Sequence, residues 1–151
     1  MKRFYLLIFC TLVALSSWAQ EGLAIKEIFD GKMIRKEQIQ ETYIKGELLK
    51  EYKLNTLRTI KFTASETERE KAEAIFMKDL ENNRLTESES CKLEVRNNHL
   101  YYAIVQLSDT GKQHRYICFQ GKKTGQDYAI TLVYIEGMAT LTELEHTLKR
   151  K

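Results

Sequence analysis

The stretch CKLEVRNNHLYYAIVQL, residues 91–107, decides the fold. It reads as two strands, Cys91–Arg96 and His99–Leu107, joined by Asn97-Asn98. Asparagine tolerates the positive φ angles that a two-residue hairpin turn demands. Pairing across that turn sets Val95 opposite Leu100, Leu93 opposite Tyr102 and Cys91 opposite Ile104, all on one face. Lys92, Glu94, Arg96, His99 and Tyr101 take the other face. A slip of one residue would scramble the two sets, so their separation argues for the hairpin.

Downstream, Ser108–Lys112 is a turn, His114–Gln120 a third strand, Gly121–Gly125 another turn and Tyr128–Glu136 a fourth strand. The fourth is apolar on both faces, the pattern of a central strand. Upstream, Thr56–Thr63 alternates, and Gln38–Lys45 is a further strand closed by Gly46. Three helices complete the chain. Leu23–Asp30 carries Ile25, Ile28 and Phe29 on one side, with Gly31 placed to stop it. Ser65-Glu66-Thr67-Glu68 has the spacing of a capping box and starts a helix with Ala72, Ile75, Phe76 and Leu80 as its buried stripe. Thr140-Leu141-Thr142-Glu143 repeats the box before Leu144 and Leu148. The expectation is one α+β domain over residues 20–151. It is a mostly antiparallel sheet with a C-terminal four-strand meander, and helices 65–82 and 140–149 pack on one face.

The first residues read as an address. Lys2 and Arg3 precede an apolar run of twelve residues, Phe4–Leu15, and Ser17 and Ala19 suit a cut after Ala19. That is the layout of a secretory signal peptide over residues 1–19. The run is short for a membrane span, which needs about 20 residues. A lipid anchor on Cys10 would put the modified cysteine inside the apolar run, behind bulky Phe9. Export to the periplasm or outside the cell follows, with Gln20 first in the mature chain.

Composition narrows the rest. The chain has 151 residues, 43% apolar and 30% charged, which fits a single folded domain rather than a disordered chain. It has no proline, hence no PxxP ligand segment and no Pro-rich linker. Loss of Lys2 and Arg3 with the signal leaves 22 Lys plus Arg against 21 Asp plus Glu. Such balance is not the concentrated basic surface of a nucleic-acid binder. Lys122-Lys123 and Lys149-Arg150-Lys151 are a loop and a helix end.

Motifs for chemistry are sparse. The histidines are His99, His114 and His146, with no HExxH, HxH or CxxC among them, so no metal site and no cofactor is expected. There is no GxSxG. Ser108, Asp109 and His114 flank one turn, too close in sequence for a base that a third group must orient. No catalytic residue is assigned. Gly121-Lys122-Lys123-Thr124-Gly125 holds the letters of a phosphate loop in the wrong order.

The candidate ligand-binding residues are Tyr101, Tyr116, Tyr128 and Tyr134, all on the meander. Pointing away from the helices, they would form a platform for a glycan or peptide. The weightier alternative is that cross-strand tyrosines stabilise the sheet. Cys91 and Cys118 are expected to be unpaired. One strand separates theirs, and two strand spacings amount to roughly 9.6 Å, beyond the roughly 4.4–6.8 Å that a disulfide spans between Cα atoms.

The landmarks also resemble a family of small secreted Bacteroidota proteins of unknown function, DUF6108. The resemblance runs from Gly22-Leu23-Ala24-Ile25 and Phe29-Asp30-Gly31 through Ile44-Lys45-Gly46, Leu49–Leu54, Arg58 and Lys78-Asp79. It continues through Leu100-Tyr101-Tyr102, Gln106-Leu107, Arg115-Tyr116 and Tyr134–Gly137. The layout is similar to that of a sister family, DUF4252. The resemblance implies an envelope α+β protein and supplies no catalytic residues. The reading that results is a non-enzymatic envelope protein, a small binding or accessory module whose partner is an envelope protein, glycan or peptide. The alternatives are an envelope hydrolase with His99 or His114 as base, and an inhibitor or assembly partner that uses a sheet edge.

Overall fold

A computed structural model describes residues 22–82, 91–107 and 113–149. The expected signal segment, the Ser108–Lys112 turn and Arg150-Lys151 lie outside the described residues. The strands are β1 (Gln40–Lys45), β2 (Leu54–Ala64), β3 (Cys91–Arg96), β4 (His99–Gln106), β5 (His114–Thr124) and β6 (Asp127–Gly137). They form one antiparallel sheet in the order β1-β2-β6-β5-β4-β3. Helices α1 (Lys26–Phe29), α2 (Glu66–Asn82) and α3 (Leu141–Lys149) complete the α+β fold. The meander β3 to β6 is as expected, and β6 lies between β2 and β5, buried on both faces.

Local chemistry sets the element ends. Ser65 and Glu68 bond reciprocally at 2.8 and 3.3 Å, and Thr140 and Glu143 do the same at the same distances. Both capping boxes are therefore closed. Asn97 and Asn98 adopt φ of 52° and 63°, the two positive angles of a type I′ turn. Beyond the turn the register departs from expectation. Val95 pairs with Leu100, but Leu93 pairs with Ala103 and Cys91 with Val105. The shift falls between Glu94 and Val95, so Tyr101 is an extra residue in β4, a β-bulge. Small Ala103, not Tyr102, thereby faces α2, which lets the helix sit close to the sheet. The second hairpin also differs. Gly121–Thr124 continues β5, and the turn is only Gly125-Gln126.

The helices do not share a face. One core joins α1 and α2 to Ile60, Phe62, Ala103, Val105, Ile117, Phe119, Leu132 and Tyr134. A second core joins Leu144 of α3, and Leu49 of the 3-10 segment Glu47–Tyr52, to Ile104, Tyr116, Cys118 and Ile135. Strand residues alternate between these cores, so α2 and α3 cover opposite faces. The expectation of one face fails because the meander is apolar on both sides and each side needs cover. Tyr116 donates its hydroxyl to the Ala139 carbonyl at 2.6 Å, and Lys92 of β3 pairs with Glu145 of α3. These contacts hold α3 on its face.

Candidate functional site

The four meander tyrosines separate. Tyr116 and Tyr134 are core side chains on opposite faces, so they offer no shared surface. The Tyr134 hydroxyl donates to Glu136 at 2.5 Å. Tyr101 and Tyr128, by contrast, line one cavity of about 450 Å³ on the α2 side of the sheet. The rest of its lining comes from Glu66 and Arg69 of α2, Arg96, Asn97, His99 and Leu100 of the β3–β4 hairpin, and Gly121 and Lys123 of β5. The volume lies in the range of small-ligand sites.

Arg69 organises the cavity. It is 1% exposed, and its guanidinium lies 4.5 Å from the centroid of the Tyr128 ring. Nη1 donates to Glu73 at 2.7 Å, and Glu66 stands 3.5 Å from Nη2. Nη2 also lies 3.1 Å from Nε2 of His99. A guanidinium has no lone pair to offer, so His99 Nε2 is the acceptor and the ring proton sits on Nδ1. Nε of Arg69 is buried without a hydrogen-bond partner. A second arginine–tyrosine stack stands nearby. Arg96, paired with Glu94 at 2.5 Å, lies 3.6 Å from the Tyr101 ring centroid. The β4 bulge releases Tyr101 from regular pairing beside this stack.

Glycine forms part of the lining. Gly121 occupies a position where a Cβ would meet the Phe119 ring at 3.1 Å and the Leu100 carbonyl at 3.2 Å. The absence of a side chain keeps this part of the cavity low. Lys123 is exposed and has no ion-pair partner among the described residues.

His114 is remote from this constellation. It starts β5 at the other end of the sheet, with its Nδ1 3.1 Å from Gln106 Nε2. The two histidines proposed as bases are therefore in different places. Ser108 and Asp109 lie outside the described residues. His146 is exposed on α3. Among the described residues no three His, Cys, Asp or Glu side chains gather as a metal site, and no helix is long and apolar enough to cross a membrane.

Sequence reading found Tyr101, Tyr128 and His99 but missed Arg69 and Gly121. Arg69 sits four residues before Phe76's neighbour Glu73 on a helix whose apolar stripe continues through its position, one turn before Ala72. A charged residue on that stripe was the available signal.

Fold and site together define a class: an antiparallel α+β protein with an aromatic, cation-lined cavity between helix and sheet. The chain belongs to the family of unknown function DUF6108, whose model matches residues 12–148. No curated protein and no solved structure matches it.

Proposed function

We propose that this chain is an exported, non-enzymatic envelope protein, a small binding module whose ligand occupies the cavity between α2 and the β3–β4 hairpin. The single observation that carries this reading is the convergence of Arg69, Arg96, His99, Tyr101, Lys123 and Tyr128 on one cavity of about 450 Å³. Two features favour binding over hydrolysis there. Among the described residues the lining holds one carboxylate, Glu66, and no serine, cysteine or aspartate, so it lacks the carboxylate pair that glycoside hydrolysis uses, and His99 Nε2 is engaged by Arg69. A base needs a free lone pair within reach of its proton. Residues 1–19 supply the signal that exports the chain, as Lys2, Arg3 and the run Phe4–Leu15 support.

The test is an NMR screen of the exported chain against glycan and peptide libraries. Chemical-shift changes centred on His99, Tyr101, Lys123 and Tyr128, without product formation, are expected. Turnover of a glycan or peptide, or binding confined to another surface, would sink the reading. N-terminal sequencing of envelope protein should begin at Gln20; intact Met1 in the cytoplasm would end the export proposal.

A further inference from the structure

We infer that the cavity takes an acidic saccharide of about one or two rings, held by its carboxylate. This inference rests on the binding reading above and specifies its ligand. Arg69 has Glu73 and Glu66, and Arg96 has Glu94. Among the described residues Glu66 is the single carboxylate in the lining, where it faces Arg69. Lys123 alone of the lining cations has no carboxylate among the described residues.

Hydrogen-bond donors are in excess as well. Arg69 fixes the proton of His99 on Nδ1, and that N–H has no partner among the described residues. The Arg69 Nε–H lacks one too. An unmatched ammonium and an open imidazole N–H suit a carboxylate, which accepts at two oxygens and donates at none when ionised. A cation as ligand would meet Lys123, Arg69 and Arg96 in the same space.

The aromatic rings specify what carries the carboxylate. Tyr101 and Tyr128 stay part-exposed in the cavity although an arginine covers one face of each. Their rings give apolar area for the C–H groups of a sugar ring, and their hydroxyls give polar partners for its own hydroxyls. The cavity volume matches one or two such rings rather than a polymer threaded through it.

The experiment is an NMR titration of the exported chain with a uronic-acid disaccharide, the corresponding neutral disaccharide and a glutamate dipeptide. Lys123→Gln is the variant, because Lys123 is exposed and has no ion-pair partner among the described residues. Lys61→Gln, on exposed β2 surface outside the cavity, is its control. The uronate should bind at least about tenfold more tightly than the neutral sugar. Lys123→Gln should remove most of that difference while Lys61→Gln leaves it intact. Equal binding of both sugars would overturn the acidic-ligand inference and leave the binding reading standing. Preference for the dipeptide would overturn the saccharide assignment. No shift at cavity residues with any of the three probes would overturn this inference, while the library screen separately decides the binding reading.

Discussion

The Asp79 carboxylate accepts the backbone N–H of Ile25 at 2.9 Å across 54 residues of sequence. It also accepts the N–H of Ala24, at 2.5 Å. A side chain of α2 thus satisfies the first free donors of the α1 turn, which has no capping side chain of its own. Asp79 is fully buried, and that burial raises its pKa above the usual 3.8 against the opposing pull of the two N–H donors.

Replacing this carboxylate should be costly. Asp79→Asn keeps one acceptor oxygen but turns an amide N–H₂ toward a backbone donor, so a loss of about 1–3 kcal/mol is expected in urea unfolding. The pH dependence has a definite sign. In the native state the carboxyl holds its proton at pH values where the unfolded chain has released it. The contribution of Asp79 to stability is therefore full below the ordinary value of 3.8, declines as pH rises through the raised native value, and is level above it. Asp79→Asn should lack that decline when stability is measured across the same acidic range. An unchanged slope would show that Asp79 does not titrate as burial requires.

Arg69 should matter to stability and to the state of His99 together. Arg69→Met keeps a long stem on the helix but strands Glu73 without its cation and removes the stack on Tyr128. Breaking a pair this buried costs about 3–5 kcal/mol. Long-range proton–nitrogen spectra should show His99 with the proton on Nδ1 in the native protein. The variant, freed of the guanidinium at Nε2, should show a mixture of tautomers. A native ring protonated at Nε2 would contradict the Arg69–His99 contact.

These two residues also mark where sequence reading stops. The β3–β4 turn, both capping boxes and the central place of β6 were legible because each depends on neighbours in sequence or on simple alternation. Asp79 and Arg69 stood out only as charges on the apolar stripe of α2, and their distant partners, Ile25 and Ala24 for Asp79 and His99 for Arg69, have no counterpart in local sequence. The bulge at Tyr101 was invisible for another reason. Residues 100–105 are all apolar, so either register of β4 leaves a plausible buried face. The two-sided arrangement of α2 and α3 was implicit in the apolar residues on both faces of Tyr128–Glu136, which one layer of helices could not have covered. The cavity required the assembled fold, since α2, the β3–β4 hairpin, β5 and β6 all contribute to it.

Gly137 should resist substitution. It ends β6 where the chain crosses the start of β2. An added Cβ would lie 2.5 Å from the Lys53 carbonyl oxygen and 2.6 Å from Leu54 Cα, both backbone atoms. The same carbonyl accepts the N–H groups of Met138 at 2.8 Å and Ala139 at 3.2 Å, so it cannot retreat without loosening the turn into α3. Gly137→Ala should destabilise the fold by about 1–3 kcal/mol, the usual range for overpacking. Gly125→Ala differs in kind, with open space around its Cβ but a φ of +65° to accommodate. Urea unfolding of the two should separate crowding from backbone strain, with Gly137→Ala the more damaging.

Cys91 and Cys118 should behave as two unequal thiols. Cys91 is opposite Val105 on β4 and Cys118 is opposite Ile104, so one intervening strand separates them and they point to opposite faces. Both are free thiols. Two strand spacings of about 4.8 Å each exceed what a disulfide can span, and the opposed faces make the separation worse. Cys118 is sealed in the α3 core, where burial pushes its thiol up to about 12. Cys91 is half-buried at the sheet edge, its pKa raised by the same cause. Since the thiolate is the reactive form, alkylation of the native protein should reach Cys91 first and Cys118 only when the α3 face opens. Intact-mass measurement of unreduced protein should give the mass of two thiols. Alkylation in urea should then add two labels, and alkylation in buffer one. A mass two hydrogens lighter, or equal labelling rates in buffer, would contradict the opposed placement of the two strands' cysteines.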